Sequence, residues 1–366
     1  MAKTEKLLNR LEALRQETGV ARTIFAVCPN SLSVIRASFR AAKRNNAPIY
    51  FAATLNQIDG DGGYTGMTQS MFTKMLQFEA DRVNYTGCSI VAIDHGGPWL
   101  KDKQRVEKWS TEDAMNGVKK SFEDAALAGY DLIHVDPTVD INVAKGDVID
   151  IHVVVRRTVE LIKHVEDFRA ANNLPEISYE VGTEEVHGGL ADETTFDTFL
   201  TELKSGLAEV GLAHVWPCFI VGKVGTDLDT AIFDPEVARN LTAKVRPHGS
   251  WIKGHYTDGV SNPEEYPLSG MGAANVGPEF TISEYEALKE LDALERRFEA
   301  EGKVAVLSNM AATLERLVYE SGRWIKWLHE DEAGKDFPEL TAERREWLVG
   351  TGCRYIWQAP EVLVAR

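Results

Sequence analysis

Eight times along this chain a short apolar run of strand length gives way to a stretch with helical spacing. The runs are Thr23–Cys28, Pro48–Leu55, Ser89–Ile93, Leu132–Asp136, Ile177–Gly182, His214–Val221, Trp251–His255 and Ala273–Val276. Helical patterns occupy 31–45, 68–84, 111–128, 147–172, 194–208 and 235–245, and helices dominate from Ile282 onward. Strands that are apolar throughout belong to parallel sheets covered by helices. Eight strand–helix units predict a (β/α)8 TIM barrel. A doubly wound sheet, the competing arrangement, requires a GxGxxG phosphate fingerprint after its first strand, and none follows Cys28.

The barrel gives the polar residues their meaning. In Ser89-Ile-Val-Ala-Ile-Asp94-His95-Gly-Gly-Pro98 an acid and an imidazole stand where a buried strand runs out. Burying both costs several kcal/mol unless they are paired or bound to metal. Asn56 and Gln57, Asp136 and Thr138, the stretch Glu180 to His187, Lys223, and His255 with Asp258 also fall at strand ends. All are expected on the C-terminal rim, where barrels of this kind bind ligands. One histidine after strand three, another after strand seven and an acid between them can converge on a divalent ion without any local zinc motif.

Composition narrows the classes. A net charge of −16 with no lysine or arginine run argues against nucleic acid as a partner. No apolar run reaches roughly 18 residues, so no membrane span is expected. Cys28, Cys88, Cys218 and Cys353 are far apart and form no CxxC, which suits buried thiols in a reducing cytoplasm. Residues 4–17 place Leu7, Leu8, Leu11 and Leu14 on one face of a lead-in helix rather than in a signal peptide.

Several motifs, in order, carry a resemblance. They are Asn56-Gln57 with Gly62-Gly-Tyr-Thr-Gly-Met-Thr68, Asp94-His95-Gly-Gly-Pro98, Ile133-His-Val-Asp136, Ser178-Tyr-Glu-Val-Gly-Thr-Glu184 and His255-Tyr-Thr-Asp258. Together they resemble the accessory, Z-type subunit family of class II tagatose-bisphosphate aldolases, which also carries the label tagatose-6-phosphate kinase. The match runs from about Cys28 to the C-terminus, and Arg323-Trp-Ile-Lys-Trp327 and Cys353-Arg-Tyr-Ile-Trp357 are similar to that family's helical appendage. The implied organisation is an N-terminal helix over 1–22, a class II aldolase-type barrel over 23–300 and a helical extension over 301–366.

The resemblance also implies roles. By position His95 and His255 become metal ligands, Glu184 the carboxylate ligand, and His187 either a replacement ligand or a loop histidine. Asp94 becomes the proton carrier, with Asp258 and Glu180 as further catalytic candidates. Asn56, Gln57, Gly63, Tyr64, Asp136 and Lys223 are the expected substrate contacts, Tyr64 as a lid residue, although Asn56 and Gln57 also suit a loop cap. The implied cofactor is a divalent metal, zinc first and manganese second. The substrate is a ketose or ketose phosphate, handled by retro-aldol chemistry as an aldolase or 4-epimerase. The alternative is a structural, activating partner of a catalytic aldolase subunit, and a homo-oligomer is expected.

Three departures qualify this. No third histidine follows strand six, where Cys218-Phe-Ile-Val-Gly222 offers none, and His214, at the wrong end of that strand, reads as a packed core residue. The usual Gly-Gly-Ser-Gly phosphate loop is replaced by Tyr256-Thr-Asp-Gly259, which favours an unphosphorylated ketose or a sugar acid. No GxxxxGK[ST] loop supports a kinase, since Gly60 to Gly66 lacks the lysine. His134 is expected to hydrogen-bond inside the barrel, and Trp324, Trp327, Trp347 and Trp357 to pack the tail or a subunit contact.

Overall fold

The computed structural model describes residues 1–144, 147–182, 193–227 and 231–366. Its strands are β1 (Ile24–Val27), β2 (Ile49–Thr54), β3 (Ser89–Gly96), β4 (Leu132–Val135), β5 (Ser178–Gly182), β6 (Phe219–Val221), β7 (Trp251–Gly254) and β8 (Ala273–Val276). All pair in parallel with their sequence neighbours, and β8 pairs back onto β1, so the sheet is a closed barrel. The alternation of strand and helix predicts this closure.

The outer helices are α1 (Lys3–Thr18), α2 (Leu32–Arg44), α3 (Gln69–Arg82), α4 (Asp102–Val106), α5 (Thr111–Leu127), α6 (Ile151–Ala171), α7 (Glu193–Glu209), α8 (Pro235–Val245) and α9 (Glu265–Leu268). Several start where the sequence supplies a cap. The side chains of Ser31, Thr68, Ser110 and Asp150 accept backbone N–H groups from the first turns of α2, α3, α5 and α6. Asp234 does the same for α8, with Pro235 just inside the helix.

Alternate strand residues face inward, and inside the barrel their character changes along the axis. The lower layers are apolar: Ile24, Ala26, Tyr50, Ala52, Ile90, Ala92, Leu132 and Ala273 form one buried cluster closed from below by Leu8 of α1. Nearer the C-terminal ends of β3, β4, β5, β7 and β8 the inward positions carry Asp94, His134, Glu180, Lys253 and Asn275, all buried. A polar layer therefore rests on an apolar floor.

β3 is irregular at the point that matters. Its register against β4 shifts between Ile93 and Gly96, and His95 has φ 48°. In a regular strand consecutive side chains point to opposite faces; this bulge lets Asp94 and His95 both reach the barrel mouth. The following glycines make the bend possible. A Cβ on Gly97 would lie 1.7 Å from the Asp136 carbonyl oxygen, so only glycine lets the end of β3 lie against the end of β4.

After β8 the chain forms α10 (Pro278–Ala300), α11 (Met310–Ser321), α12 (Ala342–Gly352) and α13 (Pro360–Ala365). These bury a second core that includes Leu314, Val318, Trp324, Phe337, Leu348 and Trp357. Short 3-10 turns at Arg323–Trp327 and Cys353–Tyr355 bring this part over the mouth. There the ring of Tyr355 meets Tyr64 edge-on at 4.8 Å, and Arg323 pairs with Asp102 at 2.6 Å.

Two local expectations are corrected. β6 begins at Phe219, not at His214, because Pro217 has no N–H to give to a ladder. His214 accordingly lies on an exposed turn and is not a core residue. The four cysteines are free thiols; Cys218 and Cys353 are buried, and Cys28 and Cys88 partly so. Among the described residues no helix is long and apolar enough to cross a membrane.

Candidate active site

The mouth of the barrel holds a cavity of about 250 Å³, sugar-sized rather than protein-sized. Its floor includes Asp94, His95, His255 and Asn275, and its rim includes Asn30, Asn56, Gln57, Tyr64, Tyr256 and Asp258. One side is built from the C-terminal turns through Lys326, Trp327, Arg354 and Tyr355.

The two histidines expected to share an ion do converge. The rings of His95 and His255 are 4.4 Å apart, and one donor atom from each of Asp94, His95, His134 and His255 lies within 4.8 Å of the others. His95 is oriented from behind: its Nδ1 lies 2.6 Å from Asp136 Oδ2, and Thr138 donates to the other oxygen of Asp136 at 2.5 Å. A carboxylate on Nδ1 fixes the tautomer that leaves Nε2 with a free lone pair, which is how proteins aim a histidine at a metal. Imidazole nitrogens with one carboxylate oxygen form a donor set suited to a divalent transition metal. The residues present fit such an ion.

Beneath this cluster lies a residue that the sequence reading missed. Lys253 is fully buried, with Nζ 2.7 and 2.8 Å from the two oxygens of Glu180, 3.2 Å from Asp94 Oδ1 and 3.3 Å from His255 Nε2. Burial pushes the Glu180 carboxyl up, but the Lys253 ammonium and His134 outweigh it and bring it down to about 2. Asp94 is likewise held well below the usual carboxylate range, burial notwithstanding, by Lys253 and His255. Its oxygens also accept the Asn275 amide at 3.1 Å. The available signal was parity: Lys253 on β7 stands two residues before His255, which follows the end of the strand, so both face inward.

Asp258 behaves differently. Its Oδ1 accepts the N–H groups of Gly277 and Glu279, while the buried Oδ2 has no partner among the described residues. Burial pushes its carboxyl up to about 6 despite those two hydrogen bonds. Among the three carboxylates expected to carry protons, only Asp258 has a free oxygen and a value near the working range of a general base.

Other expected residues sort clearly. Asn56 holds the loop after Pro98, donating to the Leu100 carbonyl and accepting the Asp102 N–H, so it caps as well as lines the cavity. Gln57 accepts the Thr54 N–H and donates to Asn30, and the Tyr64 hydroxyl donates to the same Asn30 oxygen. Gly63 is not a lining residue; its φ of 53°, and the Gln57 carbonyl oxygen only 2.4 Å from where a Cβ would stand, make it a turn device. Asp136 lies behind His95 rather than on the cavity wall. Lys223, paired with Asp227 at 3.2 Å, is also not among the lining residues. Glu184 and His187 lie outside the described residues. His134 does hydrogen-bond inside the barrel, accepting the His95 N–H at 3.1 Å, and it also joins the donor cluster. Of the tryptophans, Trp324 and Trp357 pack the tail as expected, whereas Trp327 also lines the cavity.

Comparison with known proteins gives the chain a family and supports its fold. A family model described as D-tagatose-1,6-bisphosphate aldolase subunit GatZ/KbaZ-like matches residues 8–366. A curated relative from Agrobacterium fabrum, named D-tagatose 6-phosphate 4-epimerase, is 26% identical over 385 residues, covering 98% of this chain and 85% of that protein. Among solved structures, a "probable tagatose 6 phosphate kinase" from Sinorhizobium meliloti superposes with a TM-score of 0.77 at 24% identity, covering 94% of this chain and 85% of that one. A fructose-bisphosphate aldolase from Campylobacter jejuni superposes with a TM-score of 0.50 at 13% identity over 80% of this chain and 82% of its own. At these identities the two structures speak for the fold.

Proposed function

The chain belongs to the D-tagatose-1,6-bisphosphate aldolase subunit GatZ/KbaZ-like family, and we propose that it is a divalent-metal-dependent enzyme performing retro-aldol chemistry on a ketose or ketose phosphate. The observation that carries this reading is the convergence of His95, His255 and Asp94 at the cavity floor, with Asp136 aiming His95. A bare scaffold has no need of such a cluster.

His95, His255 and Asp94 would hold the metal, with His134 within reach of the same point. Bound there, a zinc or manganese ion supplies Lewis-acid stabilisation for the enediolate that cleavage beside a ketone creates. The chain's own residues do the rest. Asp258 takes the hydroxyl proton at C4 on its free Oδ2 as the C3–C4 bond breaks, and returns it when that bond re-forms. Lys253 keeps the buried Asp94 and Glu180 ionised. Tyr64 and Trp327 wall the cavity and exclude water. Re-addition to the opposite face of the aldehyde gives C4 epimerisation, so the same groups serve an aldolase or an epimerase. The epimerase outcome is favoured by the name of the Agrobacterium relative.

The test is to incubate the purified single chain with tagatose, fructose and their phosphates, with and without chelator. Metal-dependent conversion supports the reading; no conversion in any metal-loaded sample overturns it. The family's description as an aldolase subunit favours a second reading, an activating partner of a catalytic chain. That reading predicts that this chain stimulates turnover by a partner aldolase while showing none alone.

A further inference from the structure

The C-terminal turns bring to the mouth two cations that form no ion pair with a carboxylate among the described residues. Lys326 Nζ donates to the Tyr355 hydroxyl at 3.1 Å, and the Arg354 guanidinium lies 5.2 Å from the Tyr355 ring and 5.3 Å from that of Trp327. Both cations line the cavity that holds the histidine cluster. Among the described residues neither has a carboxylate within 4.0 Å, although their neighbours do. Arg323 pairs with Asp102 at 2.6 Å, Arg344 with Glu332 at 3.0 Å and Arg366 with Glu284 at 2.7 Å. Most cations of the chain without a carboxylate partner among the described residues are exposed, Lys326 included, whereas Arg354 is half-buried against the cavity. A partly desolvated guanidinium without a counter-ion is costly, and the cost disappears when an anion arrives.

We infer that Arg354 and Lys326 bind the anionic end of the substrate, a phosphate monoester or a carboxylate, so that the C-terminal appendage sets charge specificity. This rests on the reading of the mouth as a ketose site. It replaces the phosphate loop missing after β7 with a site supplied from outside the barrel. Arginine suits the task because its planar fork meets two oxygens at once, and the flanking Trp327 and Tyr355 rings hold that plane in place. Lysine adds a second positive charge beside it. A neutral ketose offers either group hydroxyl oxygens to hydrogen-bond but no compensating charge.

The test is calorimetric titration of the full-length, metal-loaded chain with inorganic phosphate, tagatose 6-phosphate and the matching ketouronate. Wild type is expected to bind at least one of them. Arg354→Gln weakens that binding at least tenfold, Lys326→Gln several-fold, and Arg354→Lys falls between wild type and Arg354→Gln. Arg316→Gln, on the exposed face of α11, is the control and leaves binding unchanged. Circular dichroism melts confirm that the variants fold. A tenfold loss with tagatose 6-phosphate alone identifies a phosphate site, and a tenfold loss with the ketouronate alone identifies a carboxylate site; either supports the inference. It is overturned if no probe binds wild type, or if Arg354→Gln binds all of them as tightly as wild type. Because binding is read without turnover, an Arg354-dependent anion site in a chain that converts no ketose upholds this inference while the enzymatic reading falls.

Discussion

Lys253 decides whether the interior tolerates its acids. With Nζ within 3.2 Å of both Asp94 and Glu180, its loss strands two buried carboxylates. Lys253→Met is therefore expected to cost about 3 to 5 kcal/mol in urea denaturation, and the double variant with Glu180→Gln to recover part of that loss. Asp258 gives a pH signature. Its carboxyl rises from 3.8 to about 6 on folding, so between those values the native chain holds a proton that the unfolded chain has lost. That stabilisation is complete below pH 4 and disappears as the pH rises through 6. Asp258→Asn should thus gain about 2 kcal/mol relative to wild type between pH 4 and pH 8, read from urea midpoints. As the proton carrier, the same substitution should lower kcat/KM by about 10²- to 10⁴-fold and remove the limb of the rate profile near pH 6. At this scale His95, His255 and Asp94 were legible, because ionisable groups at the ends of apolar strands have few structural explanations. Lys253 was not, because a lysine inside a strand ordinarily signals a solvent-facing position. Arg354 and Lys326 were hidden too, since nothing local says that a tail folds over a distant rim.

At the scale of elements, the end of β3 is the most constrained piece. The bulge that sends Asp94 and His95 to one mouth exists because Gly97 lets two strands touch. Gly97→Ala should force the ends of β3 and β4 apart and lower stability by about 2 to 4 kcal/mol, with loss of metal binding as the second readout. The strands and helices themselves were legible from apolar runs, turn residues and caps. The register shift was not: periodicity assumes that neighbours alternate, and Asp94-His95 matters because they do not. β6 shows the same limit in another form. Its apolar pattern extended back past Pro217, and only the missing N–H, a backbone property, cuts the strand to Phe219–Val221.

The whole molecule binds its ligands through one folded state, so loading the centre should stabilise everything. A divalent ion at about one hundred times its dissociation constant adds about 2.7 kcal/mol, seen as a melting point raised by a few degrees and reversed by chelator. Asp136→Asn, which removes the carboxylate behind His95, should weaken that ion about 10- to 100-fold and shrink the shift accordingly. The interior layer of Asp94, His134, Glu180, Lys253 and Asn275 has a further consequence, because it draws on five strands at once. None of its members can be exchanged alone without leaving a neighbour stranded in a medium that does not forgive it. Descendants of this barrel that abandon the chemistry should lose the acid and the base of this layer together, and a lineage caught with only half of the change would betray itself by its fragility.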